Sequence, residues 1–175
     1  MDSEQKTKID SLISLLDCQD TIQCQKARRQ LIKIGRVAVP ALVAAASSGP
    51  MMRRWEALRA LGSIGGEDAT KALITHLGDA DPGMRWAAAD NLVKIGEPAL
   101  MPVLKALISN GKFLPFRDGA HHFLIDAATG TDPHIAMLEP VIKSLEEPGA
   151  DLAAPVAAEV ALDKMRAFHK ISEGS

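Results

Sequence analysis

The feature of this sequence that most constrains its fold is an alanine followed four residues later by a leucine, which recurs about every 31 residues. Residues four apart lie on one face of an α-helix, so each pair marks a helix with an apolar stripe. Successive alanines are 30, 31, 32 and 38 residues apart. The five pairs are Ala27/Leu31, Ala57/Leu61, Ala88/Leu92, Ala120/Leu124 and Ala158/Leu162.

A second helix fills the rest of each repeat, because the motifs that begin at Pro40, Lys71, Pro102 and Pro140 recur at similar intervals. A unit of two helices cannot bury its apolar face alone, whereas stacked units share one core. The sequence therefore predicts an all-α protein, an α-solenoid of about five helix pairs in a single domain spanning residues 1–175. The pairs are expected at about residues 4–34, 37–64, 68–95, 98–128 and 134–171.

Glycine marks the ends of three Ala–Leu helices. Gly35, Gly65 and Gly96 each follow the last apolar residue of the helix, as C-terminal cap glycines do. The long last interval between repeats predicts a short insertion in a loop at about 129–134. The proline at 140 predicts that the helix there begins late or is kinked.

Residues 79–96, which read DADPGMRWAAADNLVKIG, resemble a HEAT repeat of the short kind that also occurs in phycobilisome lyases. The turn residue Asp81 and the helix residue Arg85 match the pattern of that family. The resemblance covers about residues 20–147 and is weaker outside them. It implies a right-handed α-α superhelix.

The resemblance also implies a structural role for the repeated arginines, which in that family bond the turn acids of their own and neighbouring units in a ladder. Cys24 replaces the arginine of the first unit, and the turns at 47–50 and 110–113 have no Asp. The ladder should therefore be incomplete. The residues assigned to it are Arg54, Asp81, Arg85 and Arg117.

Composition argues against several functional classes. The chain has 175 residues, a net charge of −2, two cysteines and no tyrosine. Near-neutral charge gives no argument for nucleic-acid or membrane binding. A charged N-terminus, and no evident apolar run near membrane-spanning length, predict neither a signal peptide nor a transmembrane segment. The few cysteines favour a reduced, cytoplasmic protein.

The positions beside the Ala–Leu stripe on the second helices are the best candidates for a binding site. In the resembled family these helices line the concave surface. Exposed Trp and Arg are enriched at binding hot spots, so a groove for a protein or peptide is expected here. The alternative is that both tryptophans pack between repeats. The candidate groove residues are Trp55, Arg59, Trp86, Asp90, Asp118 and His122.

Metal binding has weak support in the sequence. His121 and His122 are adjacent and point about 100° apart on a helix, and Asp126 follows His122 at helical spacing. HEAT-like deoxyhypusine hydroxylases bind iron with His-Glu dipeptides, and this chain has none. Cys18 and Cys24 fit no zinc spacing and are expected to be structural or free thiols. No metal, cofactor or catalytic residue is predicted.

Two surfaces remain open to alternative interpretations. Lysines and arginines on the helix at 21–34 could hold phosphate groups, although a solvated face is the simpler interpretation. The last helix, at about 151–171, has apolar residues on more than one stripe and could support a homodimer or simply pack on its neighbour. Pro155 could mark the true start of that helix.

The sequence therefore predicts a non-enzymatic scaffold that binds a protein or peptide on the concave face of a HEAT-like solenoid. One alternative is a lyase-type enzyme, or a subunit of one, by resemblance to the phycobilisome lyases. Another is nucleic-acid binding, as in HEAT-like DNA glycosylases. Asp90, Asp118 and Asp126 interrupt the basic residues that a nucleic-acid surface would need.

Overall fold

The computed structural model of the protein describes residues 3–17, 20–129 and 134–173, and these contain helices and turns but no strand. The prediction of an all-α fold is thus confirmed. Cys18 and most of the predicted insertion at 129–134 lie outside the described residues. Short 3₁₀ segments occupy Leu15–Asp17 and Gly35–Ala38. The helices are α1 (Ser3–Ser14), α2 (Thr21–Ile34), α3 (Val39–Ser47), α4 (Met51–Ile64), α5 (Glu67–His76), α6 (Pro82–Ile95), α7 (Glu97–Asn110), α8 (Leu114–Ala127), α9 (Ile135–Glu146) and α10 (Ala150–Glu173).

Contacts within the chain group it into two compact units, residues 1–73 and residues 74–175. In the first unit, α4 packs on α2 and α3. In the second unit, α6 packs on α8, and α10 packs on α7 and α9. Helices from successive repeats therefore lie side by side within each unit, which is the packing of a HEAT-like α-solenoid.

The repeated Ala–Leu pairs form the core of each unit. All ten of these side chains are buried, and none exposes more than 3% of its surface. Alanine at the first position lets two helices approach closely, and leucine one turn later fills the space between them. The register read from the sequence is confirmed at every repeat.

The predicted glycine caps are present at the ends of α2, α4 and α6. Gly35, Gly65 and Gly96 have φ values of 74°, 65° and 78°. A side chain at such φ values would clash with the backbone, whereas glycine adopts them freely. Each glycine N–H donates to the carbonyl of the repeated leucine four residues earlier, so the cap and the core residue belong to one local motif.

Three prolines lie inside helices, Pro102, Pro140 and Pro155, and for the last two the sequence had suggested a late helix start. Helix α9 begins at Ile135 and continues through Pro140, and α10 begins at Ala150, five residues before Pro155. The expectations that either proline marks a late helix start were wrong. The ring of Pro155 packs against Gly111, where an added Cβ would lie 2.4 Å from a ring carbon. This tertiary contact offers a physical reason for retaining a proline inside α10.

One stretch, Thr21–Ser47, is long and apolar enough to cross a membrane by length and composition alone. This departs from the expectation drawn from the sequence, but core helices of soluble proteins pass the same test. The stretch comprises α2, a 3₁₀ segment and α3, and it turns at Gly35.

Cys24, in α2, is buried and disulfide-bonded and is therefore not a free thiol.

Candidate functional site

A polar surface with one exposed tryptophan lies where α6 packs on α8. The Trp86 ring stacks on the imidazole of His122, with ring centroids 4.6 Å apart and 10° between the planes. His122 Nε2 lies 3.3 Å from a carboxylate oxygen of Asp90 and 3.6 Å from one of Asp126. We call Trp86, Asp90, Asp118, His122 and Asp126 the Trp86 patch.

Solvent reaches most of the Trp86 patch. Trp86 exposes 60% of its surface, and the side chains of Asp90 and Asp118 are each about half exposed. The His122 side chain is less exposed because the indole covers one face of its ring. The patch therefore presents an aromatic ring supported by His122, with Asp90 and Asp126 at the imidazole. The third carboxylate, that of Asp118, is paired with Arg85 at 3.6 Å.

The other two predicted groove residues, Trp55 and Arg59, lie on α4 in the first compact unit. Trp55 is half-buried. Arg59 Nη1 lies 3.4 Å from a carboxylate oxygen of Glu56, and the other oxygen of that carboxylate accepts a hydrogen bond from Arg28 of α2. Glu56 is buried, so this ion pair joins α2 to α4 beneath the surface that carries Trp55. Sequence reasoning did not identify this ion pair, because Arg28 and Glu56 are 28 residues apart in different helices.

The repeated arginines each bond a carbonyl at the end of the helix or turn that precedes them. The three contacts have the same form, a guanidinium N–H donating to a backbone oxygen six or eight residues earlier. Such bonds satisfy carbonyls that a helix end leaves without an intrahelical partner. They are Arg54 to Ala46 at 2.9 Å, Arg85 to Asp79 at 2.9 Å and Arg117 to Gly111 at 2.6 Å.

Arg85 also reaches the next repeat through the carboxylate of Asp118 in α8. Asp118, predicted as a groove residue, therefore also contacts Arg85, which was predicted as a ladder residue. Asp81 has a different task, because its carboxylate accepts a hydrogen bond from the Met84 N–H at 3.0 Å and caps α6. Asp79 accepts from the Asp81 N–H and lies 3.0 Å from His76 Nδ1, which fixes the turn before α6.

Among the residues that the structure describes, two groups could hold a metal ion. Ligand atoms of Asp90, His122 and Asp126 lie within 4.8 Å of one another, and so do those of a second group. The sequence indicated the His122–Asp126 pair, but Asp90 comes from another helix. The second group had no sequence signal, because its members come from three separate helical regions. It consists of Glu97, His134 and His169.

Helix α10 has two apolar stripes, as the sequence indicated. One stripe is buried against its neighbours and includes Ala154, Ala158 and Met165. The other, formed by Leu152, Val156 and Val160, is more than half exposed at each position. A homodimer through this helix stays a prediction.

One ion pair outside these sites has pKa values that differ from the ordinary ones. Glu67 and Lys71 in α5 are 2.6 Å apart and fully solvated. Their hydrogen bond and mutual charge lower the pKa of the Glu67 carboxyl and raise the pKa of the Lys71 amine. The pair is a surface helix contact with no neighbouring catalytic group in the part of the chain that the structure describes.

Comparison with known families agrees with this architecture. Residues 39–122 match the family described as HEAT repeats, and this range contains α3 to α7 and most of α8. No curated protein matches the chain. HEAT repeats form helical scaffolds, and the buried Ala–Leu stripes and bonded arginines described above continue through the matched range. Residues 39–122 therefore belong to the HEAT-repeat family.

Proposed function

We propose that this protein is a non-enzymatic scaffold whose Trp86 patch binds a protein or peptide through a basic side chain. The observation that carries the proposal is the exposed Trp86 ring, held flat on His122, whose imidazole lies within 3.6 Å of the carboxylates of Asp90 and Asp126. An arginine or lysine would meet a π-face and carboxylates at the same place. Cation–π contacts of this kind contribute about 0.5–2 kcal/mol.

The support for Trp86 lowers the entropic cost of binding. A free indole side chain loses rotamer freedom when a partner immobilises it, which costs about 0.5–1.5 kcal/mol for a rotamer-rich side chain. Trp86 is already stacked on His122, and His122 lies within reach of two carboxylates. Tryptophans held in this way are typical of interface hot spots.

Trp55 and Arg59 are proposed as a separate contact surface of the first compact unit. They occupy the repeat positions that correspond to Trp86 and Asp90. Arg59 is 41% exposed and Trp55 is half-buried. This surface differs in charge from the Trp86 patch, so we expect it to accept acidic or polar side chains. The carboxylates of the Trp86 patch disfavour phosphate and hence a nucleic-acid backbone at that position.

The test uses short fluorescein-labelled peptides that carry several arginines, or glutamines in their place, and measures fluorescence anisotropy. The arginine peptides should bind, and added salt should weaken the binding because exposed charges are screened. Trp86→Ala should weaken binding by about tenfold or more, as expected of a hot-spot residue. Asp90→Asn should weaken it less.

Val156→Ala is the matched control, because Val156 is as exposed as Trp86 but lies on α10 outside the patch. It should leave the affinity unchanged. Equal binding of the arginine and glutamine peptides, or equal loss in Trp86→Ala and Val156→Ala, would refute the assignment of a basic partner to this patch.

A further inference from the structure

Three potential metal ligands converge where α10 packs on α7 and α9 in the second compact unit. Glu97 is the first residue of α7, His134 immediately precedes α9, and His169 lies near the end of α10. One carboxylate oxygen of Glu97 and one ring nitrogen of each histidine lie within 4.8 Å of one another. The three residues meet because these helices pack together, and they do not form a local sequence motif.

The geometry of this cluster is close to that of a transition-metal site. Ligands about 2.0–2.1 Å from a tetrahedral zinc ion are about 3.4 Å apart. Glu97 Oε1 and His169 Nε2 are already 3.4 Å apart. The rings of His134 and His169 are nearly perpendicular, at 77°, with centroids 5.2 Å apart. A small adjustment of the side chains would bring all three donors to one ion.

The cluster also has the burial that a specific site needs. His134 exposes 5% of its surface, and the ring of Phe168 packs on it edge to face at 5.3 Å. The His134 backbone is held at the start of α9, where its carbonyl accepts the N–H groups of Met137 and Leu138. One ligand is thus fixed and desolvated, while Glu97 and His169 remain accessible to an incoming ion.

We propose that Glu97, His134 and His169 bind a divalent first-row transition-metal ion, with Zn²⁺ as the reference ion. Two imidazoles and one carboxylate suit zinc and its neighbours better than calcium or magnesium, which prefer oxygen ligands. Three protein ligands leave a fourth position for water. Because the ligands come from three helical regions, the ion would fasten α10 to α7 and α9.

The other cluster, Asp90, His122 and Asp126, is the weaker candidate and serves as an internal control. It has one imidazole, and that ring is already stacked on Trp86. Its two carboxylates are about half exposed, and exposed acidic groups beside a histidine are common on surfaces without a metal. The proposed site is also independent of peptide binding, since the two share no residue.

The experiment titrates untagged, chelator-treated protein with Zn²⁺ by isothermal calorimetry and follows thermal unfolding with and without the ion. The protein should bind one Zn²⁺ at the proposed site and gain thermal stability by mass action. Glu97→Gln and His169→Gln should each weaken this binding by about tenfold or more, since each removes a ligand. His122→Gln should leave it unchanged.

His134 is buried, so its substitution could unfold the protein and is not used. Far-ultraviolet circular dichroism establishes that the two ligand variants are folded. Hydrogen exchange supplies a second measurement, because Zn²⁺ should slow exchange in α10 of the original protein and not in His169→Gln. Unchanged affinity in both folded ligand variants would overturn the proposal. So would a loss of binding in His122→Gln that equals the loss in His169→Gln.

Discussion

The indole of Trp86 in α6 and the imidazole of His122 in α8 lie almost parallel, with their ring centroids 4.6 Å apart. The two residues are 36 positions apart, so consecutive repeats supply the two halves of one surface. The contact holds Trp86 in place without burying it. A tryptophan that is both ordered and exposed has clear consequences for spectroscopy.

The two tryptophans should differ in their fluorescence. Trp86, at 60% exposure, should emit at longer wavelength in the Trp55→Phe protein and be quenched efficiently by acrylamide. Trp55 is half-buried, so in the Trp86→Phe protein it should emit at shorter wavelength and be better protected. Stern–Volmer slopes of the two single-tryptophan proteins make the comparison. A steeper Stern–Volmer slope for Trp55 than for Trp86 would contradict the exposures that the structure gives these two side chains.

Arg85→Ala should destabilise the protein by about 1–3 kcal/mol. The substitution removes hydrogen bonds to the carbonyls of Asp79 and Ala80 and the pairing with Asp118, and partly buried polar groups left unsatisfied cost about that much each. Urea unfolding measures the change. Arg29→Ala, at an exposed position of α2, should stay within about 0.5 kcal/mol. Equal effects of the two would remove the structural role assigned to Arg85.

Gly119→Ala should destabilise the protein even though alanine favours helices. Gly119 in α8 packs against the backbone of Leu77, and an added Cβ would lie 2.3 Å from the Leu77 carbonyl oxygen. Backbone cannot move aside cheaply, so overpacking should cost about 1–3 kcal/mol. Gly83→Ala at the exposed start of α6 is the control and should be neutral or slightly stabilising. Thermal unfolding of both proteins tests the contact, which a stabilised Gly119→Ala would disprove.

Glu56→Ala and Glu67→Ala compare a buried ion pair with an exposed one. Glu56→Ala leaves Arg28, whose side chain is 12% exposed, without its carboxylate and should cost about 3 kcal/mol. Glu67→Ala breaks a solvated contact with Lys71 and should change stability little. Chemical denaturation at neutral pH measures both, and a larger loss for Glu67→Ala would reverse the assignment.

The Glu67–Lys71 pair should also have a characteristic pH dependence. The pKa of Glu67 is lowered in the folded protein, so its small contribution is present at neutral pH and is lost as the carboxyl protonates in acid. The pKa of Lys71 is raised, so the contribution is also lost as that amine deprotonates in base. The difference in stability between the original protein and Glu67→Ala should therefore shrink at both extremes.

Prediction from sequence succeeded for features that are local or that repeat. The stacked helices follow from the Ala–Leu period, and the helix expected at 21–34 matches α2 to the residue, with Asp20 capping its start and Gly35 its end. The same reasoning was wrong for Pro140 and Pro155, which lie inside α9 and α10 and not at their starts. A proline favours the first turn of a helix but does not exclude an interior position, and Pro155 packs on Gly111, just past the end of α7.

The candidate site was predictable only in part. Repeat position placed Trp86, Asp90, Asp118 and His122 on one kind of face, and the structure brings them together on α6 and α8. Repeat position could not indicate that Trp86 stacks on His122 or that Asp118 pairs with Arg85. Those contacts depend on side-chain rotamers and on the spacing of adjacent helices, which the period of the repeat leaves open.

The sequence by itself determined the helical class, the repeat register, the buried Ala–Leu stripe and the glycine caps. These depend on hydrogen bonds and side-chain periodicity within about 31 residues, and that information is contained in each repeat. Only the tertiary structure decided that Glu97, His134 and His169 meet. They are 37 and 35 residues apart and occupy no common repeat position, so their proximity arises from the packing of α10 on α7 and α9.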